Sequence, residues 1–306
     1  MKKLCVIGSL NVDLTITIPR FHAPGETITG SGFATYTGGK GGNQAVALGR
    51  LGADVAMCGM VGDDANGRMY LNTLARERVD TSLIGQSENQ PTGVALIEVE
   101  SASGNNRIAL NPGANHELDV AFAQRYLDSL LKYDIFLMQL EIPLETVTYL
   151  AARLHAAGKT VVLDPAPAVP LSDGLIAAAD YITPNETELS ILTGMPTGSR
   201  EQIERAAAQL ILRGSRRVVA KMGAAGALLF GEDKPLFVPG FQVNAVDTTA
   251  AGDSFNAGFA MALALGLDPL ECMQTANATG ALSTTRMGAQ AAMPSYDDVR
   301  ALVAPR

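Results

Sequence analysis

The stretch Val246-Asp247-Thr248-Thr249-Ala250-Ala251-Gly252-Asp253-Ser254-Phe255-Asn256-Ala257-Gly258 carries the most specific chemistry in this chain. Small residues here open a long apolar helix. The first amides of a helix lack carbonyl partners of their own, so Ala250, Ala251, Gly252 and Asp253 form a ready anion hole. Asp253 sits in that first turn. As plain structure it complements the helix dipole, worth about 0.3–1 kcal/mol. As chemistry it is a general base beside an anion hole, an economical arrangement for phosphoryl transfer.

Five further groups have both a structural and a chemical reading. In Gly38-Gly39-Lys40-Gly41-Gly42-Asn43 the glycines make either a flexible loop before a helix or a tract whose N–H groups approach a ligand closely. Asn43 is either a helix N-cap or a binder of hydroxyls. Asn11 and Asp13 share one face of a strand of period two. They are a solvated face or a pair suited to the vicinal hydroxyls of a sugar, and both residue types are disfavoured in strands. Glu141 follows the apolar run Ile135–Leu140. It is a loop residue before Pro143 or a carboxylate at the ligand-binding end of a strand. Asn185 and Glu188 spell an Asn capping box, which is compatible with a place near phosphates or a metal. Lys221-Met222-Gly223-Ala224-Ala225-Gly226 is a tight turn, or a small-residue cradle for a flat base or ribose. His22, His116 and His155 lie in no HExxH or triad-like context.

These residues need elements to hold them. The apolar run Leu4–Ile7 predicts a buried strand, and Leu10–Ile18 alternates apolar and polar residues with period two. Residues 27–37 are Thr-rich and punctuated by glycine. A helix is expected over 44–51, a strand over 55–61 and a helix over 67–78. Segments 92–100 and 107–110 read as a hairpin around Ser101–Asn106. From 119 onward helices and strands alternate: helices 119–131, 144–157, 172–179, 186–192 and 200–213, and strands 135–140, 160–163, 181–183 and 217–221. That rhythm predicts a parallel sheet with helices on both faces. A short hairpin over 227–238 precedes a helical end from Ala251. The expectation is one α/β domain over 1–306, with a small β-sheet from about 10–37 and 92–110 lying beside it.

Composition narrows the classes. The chain has 306 residues, of which 47% are hydrophobic and 18% charged, so it can build a large core. A net charge of −8 argues against a nucleic-acid partner. Cys5, Cys58 and Cys272 form no CxxC pair and read as buried thiols in a reducing compartment. No apolar run of about 18 residues exists, and no signal peptide is evident. A cytoplasmic protein with no membrane partner is expected. The first strand lacks GxGxxG, which excludes the dinucleotide-dependent dehydrogenase pattern.

Two motifs some 200 positions apart, Gly38-Gly39-Lys40-Gly41-Gly42-Asn43-Gln44-Ala45 and Asp247-Thr248-Thr249-Ala250-Ala251-Gly252-Asp253, resemble those of the ribokinase-like carbohydrate kinases. The resemblance extends from Gly8-Ser9-Leu10-Asn11-Val12-Asp13 to Gly288-Ala289-Gln290. It implies a three-layer α/β/α body with a β-sheet lid, and ATP-dependent transfer to a primary hydroxyl, here O5 of ribose. It implies that Asn11, Asp13, Gly39, Lys40, Gly41, Gly42, Asn43 and Glu141 hold the sugar and that Asp253 is the base. Asn185, Lys221 to Gly226, Gly252 and Asn277 would line the nucleotide site. Asp247, Thr249, Ser283, Arg286 and Gly288 would bind K⁺, and Mg²⁺ would accompany the nucleotide near Glu188. Two lids would clasp to form a homodimer. This sequence departs from the pattern at Ala250, where Gly is common, and at Asn277, near the adenine. It also has Ala291-Ala292 for an expected Pro-Ser pair. The alternatives are a kinase for 2-deoxyribose or another small sugar or nucleoside, and a sugar-binding regulator without catalysis.

Overall fold

The computed structural model describes residues 1–231 and 233–304. Thirteen strands are found among them: β1 (Leu4–Ile7), β2 (Asn11–Ile18), β3 (Ser31–Gly38), β4 (Val55–Gly62), β5 (Asp80–Ser87), β6 (Gly93–Glu100), β7 (Asn106–Asn111), β8 (Ile135–Met138), β9 (Thr160–Leu163), β10 (Tyr181–Ile182), β11 (Val218–Lys221), β12 (Gly226–Phe230) and β13 (Leu236–Pro239). Nine of them form a sheet in the order β13-β12-β11-β10-β9-β8-β1-β4-β5. The strands from β11 to β5 pair in parallel, and β12 runs antiparallel to both its neighbours. β1, β4 and β8 are buried at every position, as expected of strands covered on both faces. One apolar core packs the helices Lys40–Arg50, Ala251–Leu265 and Pro269–Ser283 on one face. The other holds Val120–Leu130, Leu144–Ala156 and Arg200–Leu212 on the opposite face.

A second sheet has the order β3-β2-β6-β7 and comes from the two separate segments expected for it. β2 pairs antiparallel with β3 but parallel with β6. The chain passes from β1 through Gly8-Ser9-Leu10 into β2, so the second sheet springs from the carboxyl end of the first.

Two expectations need correction. The helix predicted over 44–51 begins at Lys40, with Gly39 as its N-cap at φ 81°. The glycine tract is therefore the first turn of a helix, and Asn43 lies within it and caps nothing. The edge strand β5 has no counterpart in the sequence reading. Asp80, Ser82, Gly85 and Gln86 interrupt its alternation, and an edge strand needs only one well-packed side.

Candidate active site

Adjacent strands β11, β10, β9, β8 and β1 all end at one edge of the large sheet, and each delivers a polar residue there. β11 ends in Lys221. Asn185 follows β10, Asp164 follows β9, Gln139 and Glu141 follow β8, and Ser9 follows β1. This is the crevice outside the carboxyl ends of an open sheet, where ligands bind.

Asp253 stands opposite this edge, in the first turn of the helix Ala251–Leu265, and is 6% exposed. Its Oδ2 accepts a hydrogen bond from Asn43 Nδ2 at 3.0 Å and its Oδ1 accepts one from Gln44 Nε2 at 3.1 Å. Burial pushes its carboxyl up, Lys40 pulls it down and Asp164 pushes it up again. With the two amide donors the balance lies at about 6. Burial alone would lower the Lys40 ammonium. The surrounding Asp253, Asp164, Glu141 and Glu188 outweigh that and hold it above its ordinary value. Ala250, just before the helix, has a left-handed φ of 59° and gives no side-chain cap. Ala251 donates to the Thr248 carbonyl at 3.2 Å. That leaves Gly252 and Asp253 as the first-turn residues whose amides stand open to an anion.

The glycine tract serves packing rather than amide display. Lys40 N–H donates to Glu141 Oε2 at 3.0 Å, Gly41 N–H to Ser9 Oγ at 3.4 Å and Gly42 N–H to the Ser9 carbonyl at 2.9 Å. Ser9 Oγ in turn donates to Glu141 Oε2 at 2.5 Å. A Cβ on Gly41 would lie 2.6 Å from the Ser9 nitrogen, so only glycine lets the helix approach β1 this closely. The expectation that these N–H groups face a ligand is thus corrected for positions 40–42.

Asn11 and Asp13 do point to one side of β2. Asn11 Oδ1 accepts from Asn115 Nδ2 at 2.8 Å, which leaves its own amide as a donor. Burial, with Glu141 nearby, raises the Asp13 carboxyl to about 6.

A cleft of about 290 Å³ opens on the other side of Asp253. Lys221, Gly223, Ala224, Gly226, Gly252 and Asn277 line it, together with Phe241 and Phe255. Asn185, Met222 and Ala225 are not part of this lining. Asn185 caps its helix in the predicted box with Glu188, while Met222 and Ala225 are bonded within the turn. Asn277 Nδ2 is committed to the Val238 and Pro239 carbonyls at 3.0 and 3.2 Å. Burial raises the Glu188 carboxyl against the pull of Lys221.

Asp247 knots a separate turn. Its Oδ1 accepts from Thr249 N–H and Oγ1 at 2.9 and 2.7 Å, and its Oδ2 from Gly288 N–H at 2.8 Å. Burial would raise its carboxyl, but these donors hold it below the ordinary value. Ser283 ends the neighbouring helix, and Arg286 is exposed.

Sequence reasoning missed Gln44, Asp164 and Gln290. Gln44 is fully buried and its Nε2 also donates to Asp164 Oδ2 at 3.0 Å. Asp164 directly follows an apolar strand, the same signal that singled out Glu141.

The chain matches the family model "pfkB family carbohydrate kinase" over residues 1–296. It is 41% identical over 297 residues to a ribokinase from Haemophilus influenzae, covering 97% of each chain. It is 37% identical over 295 residues to a deoxyribokinase from Salmonella typhi, covering 96% of each. Among solved structures it resembles Arabidopsis thaliana ribokinase complexed with ribose and ATP. The TM-score is 0.95 at 34% identity, with 100% of this chain and 99% of that one covered. A fold of this topology, an edge of strand-end polar groups facing a helix N-terminus, and full-length kinship lead to one conclusion: the chain belongs to the pfkB family of carbohydrate kinases.

Proposed function

We propose that the protein phosphorylates D-ribose at O5 with ATP. The observation that carries this reading is the 3.0 Å bond between Asn43 and Asp253, which joins the two sequence motifs across 210 residues. It sets a buried carboxylate between the Asn11–Asp13–Glu141 group and the cleft at Lys221. A sugar held by the first and a nucleotide held by the second would meet at Asp253.

In this reading Asp253 takes the proton of the primary hydroxyl as that oxygen bonds to the γ-phosphorus. The bond from phosphorus to the bridging oxygen breaks and ADP leaves. The amides at Gly252 and Asp253 and the Lys40 ammonium offset the charge on the transferring group. A carboxyl near 6 is ionised at neutral pH yet basic enough to take the proton.

The residues also suit the two implied ions. Glu188 and Asp164 are hard oxygen donors of the type Mg²⁺ takes, and they would hold it with the nucleotide phosphates. The low-lying Asp247 carboxylate and the carbonyl end of the helix that finishes at Ser283 suit a monovalent cation. Magnesium held at Glu188 and Asp164 would neutralise phosphate charge. A K⁺ ion at Asp247, with Thr249, Ser283, Arg286 and Gly288, would brace the turn that leads into Ala250. The exposed Tyr36, Ile108 and Leu110 share one face of the small sheet and would be covered by the same sheet of a second copy.

A second reading is a 2-deoxyribose kinase, favoured by the similarity to a deoxyribokinase. ADP release measured over ribose, 2-deoxyribose, fructose and adenosine decides between them. Ribose is expected to give the highest kcat/KM, because polar groups built for the 2-hydroxyl stay unpaired without it. Equal or better turnover of 2-deoxyribose defeats the ribose reading.

A further inference from the structure

Gln290 is buried, lies in a short turn after the Asp247–Gly288 contact, and has no place in the chemistry above. It nevertheless makes a defined set of contacts. Its Nε2 donates to Asn43 Oδ1 at 3.1 Å and to Tyr70 Oη at 3.3 Å. Its Oε1 accepts from Thr37 Oγ1 at 2.5 Å. Thr37 belongs to β3 of the small sheet, so this chain of bonds runs from that sheet through Gln290 and Asn43 to Asp253.

The direction of every bond follows from one charge. An ionised Asp253 can only accept, so Asn43 must present Nδ2 to it and keep Oδ1 for a donor. Gln290 must then present Nε2 to Asn43, which leaves its Oε1 to accept, and Thr37 must donate. Tyr70 Oη donates to the Gly38 carbonyl and so accepts from Gln290. No amide in the series can turn over without breaking two bonds.

Gln290 is also fixed from behind. Arg50 Nη1 donates to the carbonyl oxygens of Gln290, of Ala291 at 3.2 Å and of Met293 at 3.3 Å. Its Nε and Nη2 are paired with both oxygens of Glu77 at 3.0 and 2.7 Å. The body therefore holds the backbone of Gln290 while its side chain reaches the small sheet.

We infer that Gln290 is a positioning residue that ties the orientation of Asp253 to the place of β3. Asn43 is aimed at the base only while Thr37 and Gln290 hold its far side. The sheet over the sugar and the base beneath it are thereby set together. The inference rests on Asp253 being the base, as proposed above.

The test is a double-mutant cycle of Thr37→Val and Gln290→Met, with the sugar that the ADP-release screen ranks first. Gln290→Met should lower kcat about ten- to a hundredfold, the scale of a misplaced reacting group, while the sugar KM changes less than about threefold. The acid limb of its kcat–pH profile should move to higher pH, because a donor to Asp253 is loosened. Adding Thr37→Val to Gln290→Met should cost little more, since both cut one chain. A kcat within twofold of wild type overturns the inference, as do a loss confined to KM and two effects that simply multiply. If Gln290→Met does not fold, Thr37→Val alone decides: reduced kcat at constant KM supports the inference and wild-type kcat overturns it. Asp253→Asn distinguishes the two levels. Full activity there removes the base itself, whereas an inactive Asp253→Asn beside an active Gln290→Met removes only this inference.

Discussion

Lys221 Nζ donates to Asp164 Oδ1 at 2.9 Å, with the two side chains 11% and 4% exposed. The pair bridges the ends of β11 and β9 across β10 and faces the cleft on one side and Gln44 on the other. Removing one member leaves the other charged and buried, which costs about 3–5 kcal/mol. Asp164→Ala is therefore expected to lower unfolding stability by about that much in a urea titration. Asp164→Leu combined with Lys221→Met should cost less than Asp164→Ala alone.

Replacing Asp253, the proposed base, should separate chemistry from binding. General-base assistance contributes about 10²–10⁴-fold, so Asp253→Asn is expected to reduce kcat by at least about 10². The new amide must turn its NH₂ towards either Asn43 or Gln44, both of which donate at this site. A stability loss of about 1–3 kcal/mol should accompany the change. Steady-state kinetics with a thermal melt measure both. A folded variant that keeps more than about a tenth of wild-type kcat would show that another group is the base.

The pH profile has a definite sign. As the proposed base, Asp253 must be ionised to accept a proton, so kcat should rise with pH through about 6 and level off above it. Stability runs the other way for this group. Folding raises its carboxyl from 3.8 to about 6, so the folded protein binds the proton more tightly than the unfolded chain does. Its contribution is most favourable below that window and is lost as pH rises through it. Asp13, raised to about 6 by burial beside Glu141, adds the same trend. Melting temperatures of wild type and Asp253→Asn between pH 4 and 7 should diverge in this direction.

Monovalent cation dependence tests the turn at Asp247. Activity is expected to rise on adding K⁺ at constant ionic strength, and Asp247→Asn should blunt the response. Full activity in a tetramethylammonium buffer without K⁺ would refute the site.

The assembly proposed through the small sheet predicts a dimer in solution. Ile108 is 59% exposed on β7, and a charge there would face the partner sheet. Light scattering at micromolar concentration should give twice the chain mass for wild type and a shift towards monomer for Ile108→Lys.

Much of this architecture is legible in the amino-acid sequence. Uninterrupted apolar runs mark β1 and β8, and the Asn185–Glu188 box marks the helix start at Glu186. The two-piece sheet followed from the alternation in 10–18 and the hairpin after residue 92. The glycine tract misled, because a helix that opens with Lys-Gly-Gly has poor intrinsic propensity and is formed by packing on β1 instead. Asp253 and Glu141 could be found from position at an element's end. Gln44 and Gln290 could not: nothing in an amide's neighbours along the chain tells which carboxylates or threonines will meet it in space.

Ala250 holds a conformation that alanine enters only at a cost of about 1 kcal/mol or more. Glycine would relieve that strain, yet it would also let the turn before Ala251 wander among many shapes when no substrate is present. The methyl group narrows those shapes. Ordering of the proposed anion cradle is then completed once, when the chain folds, and need not be repeated in every catalytic cycle.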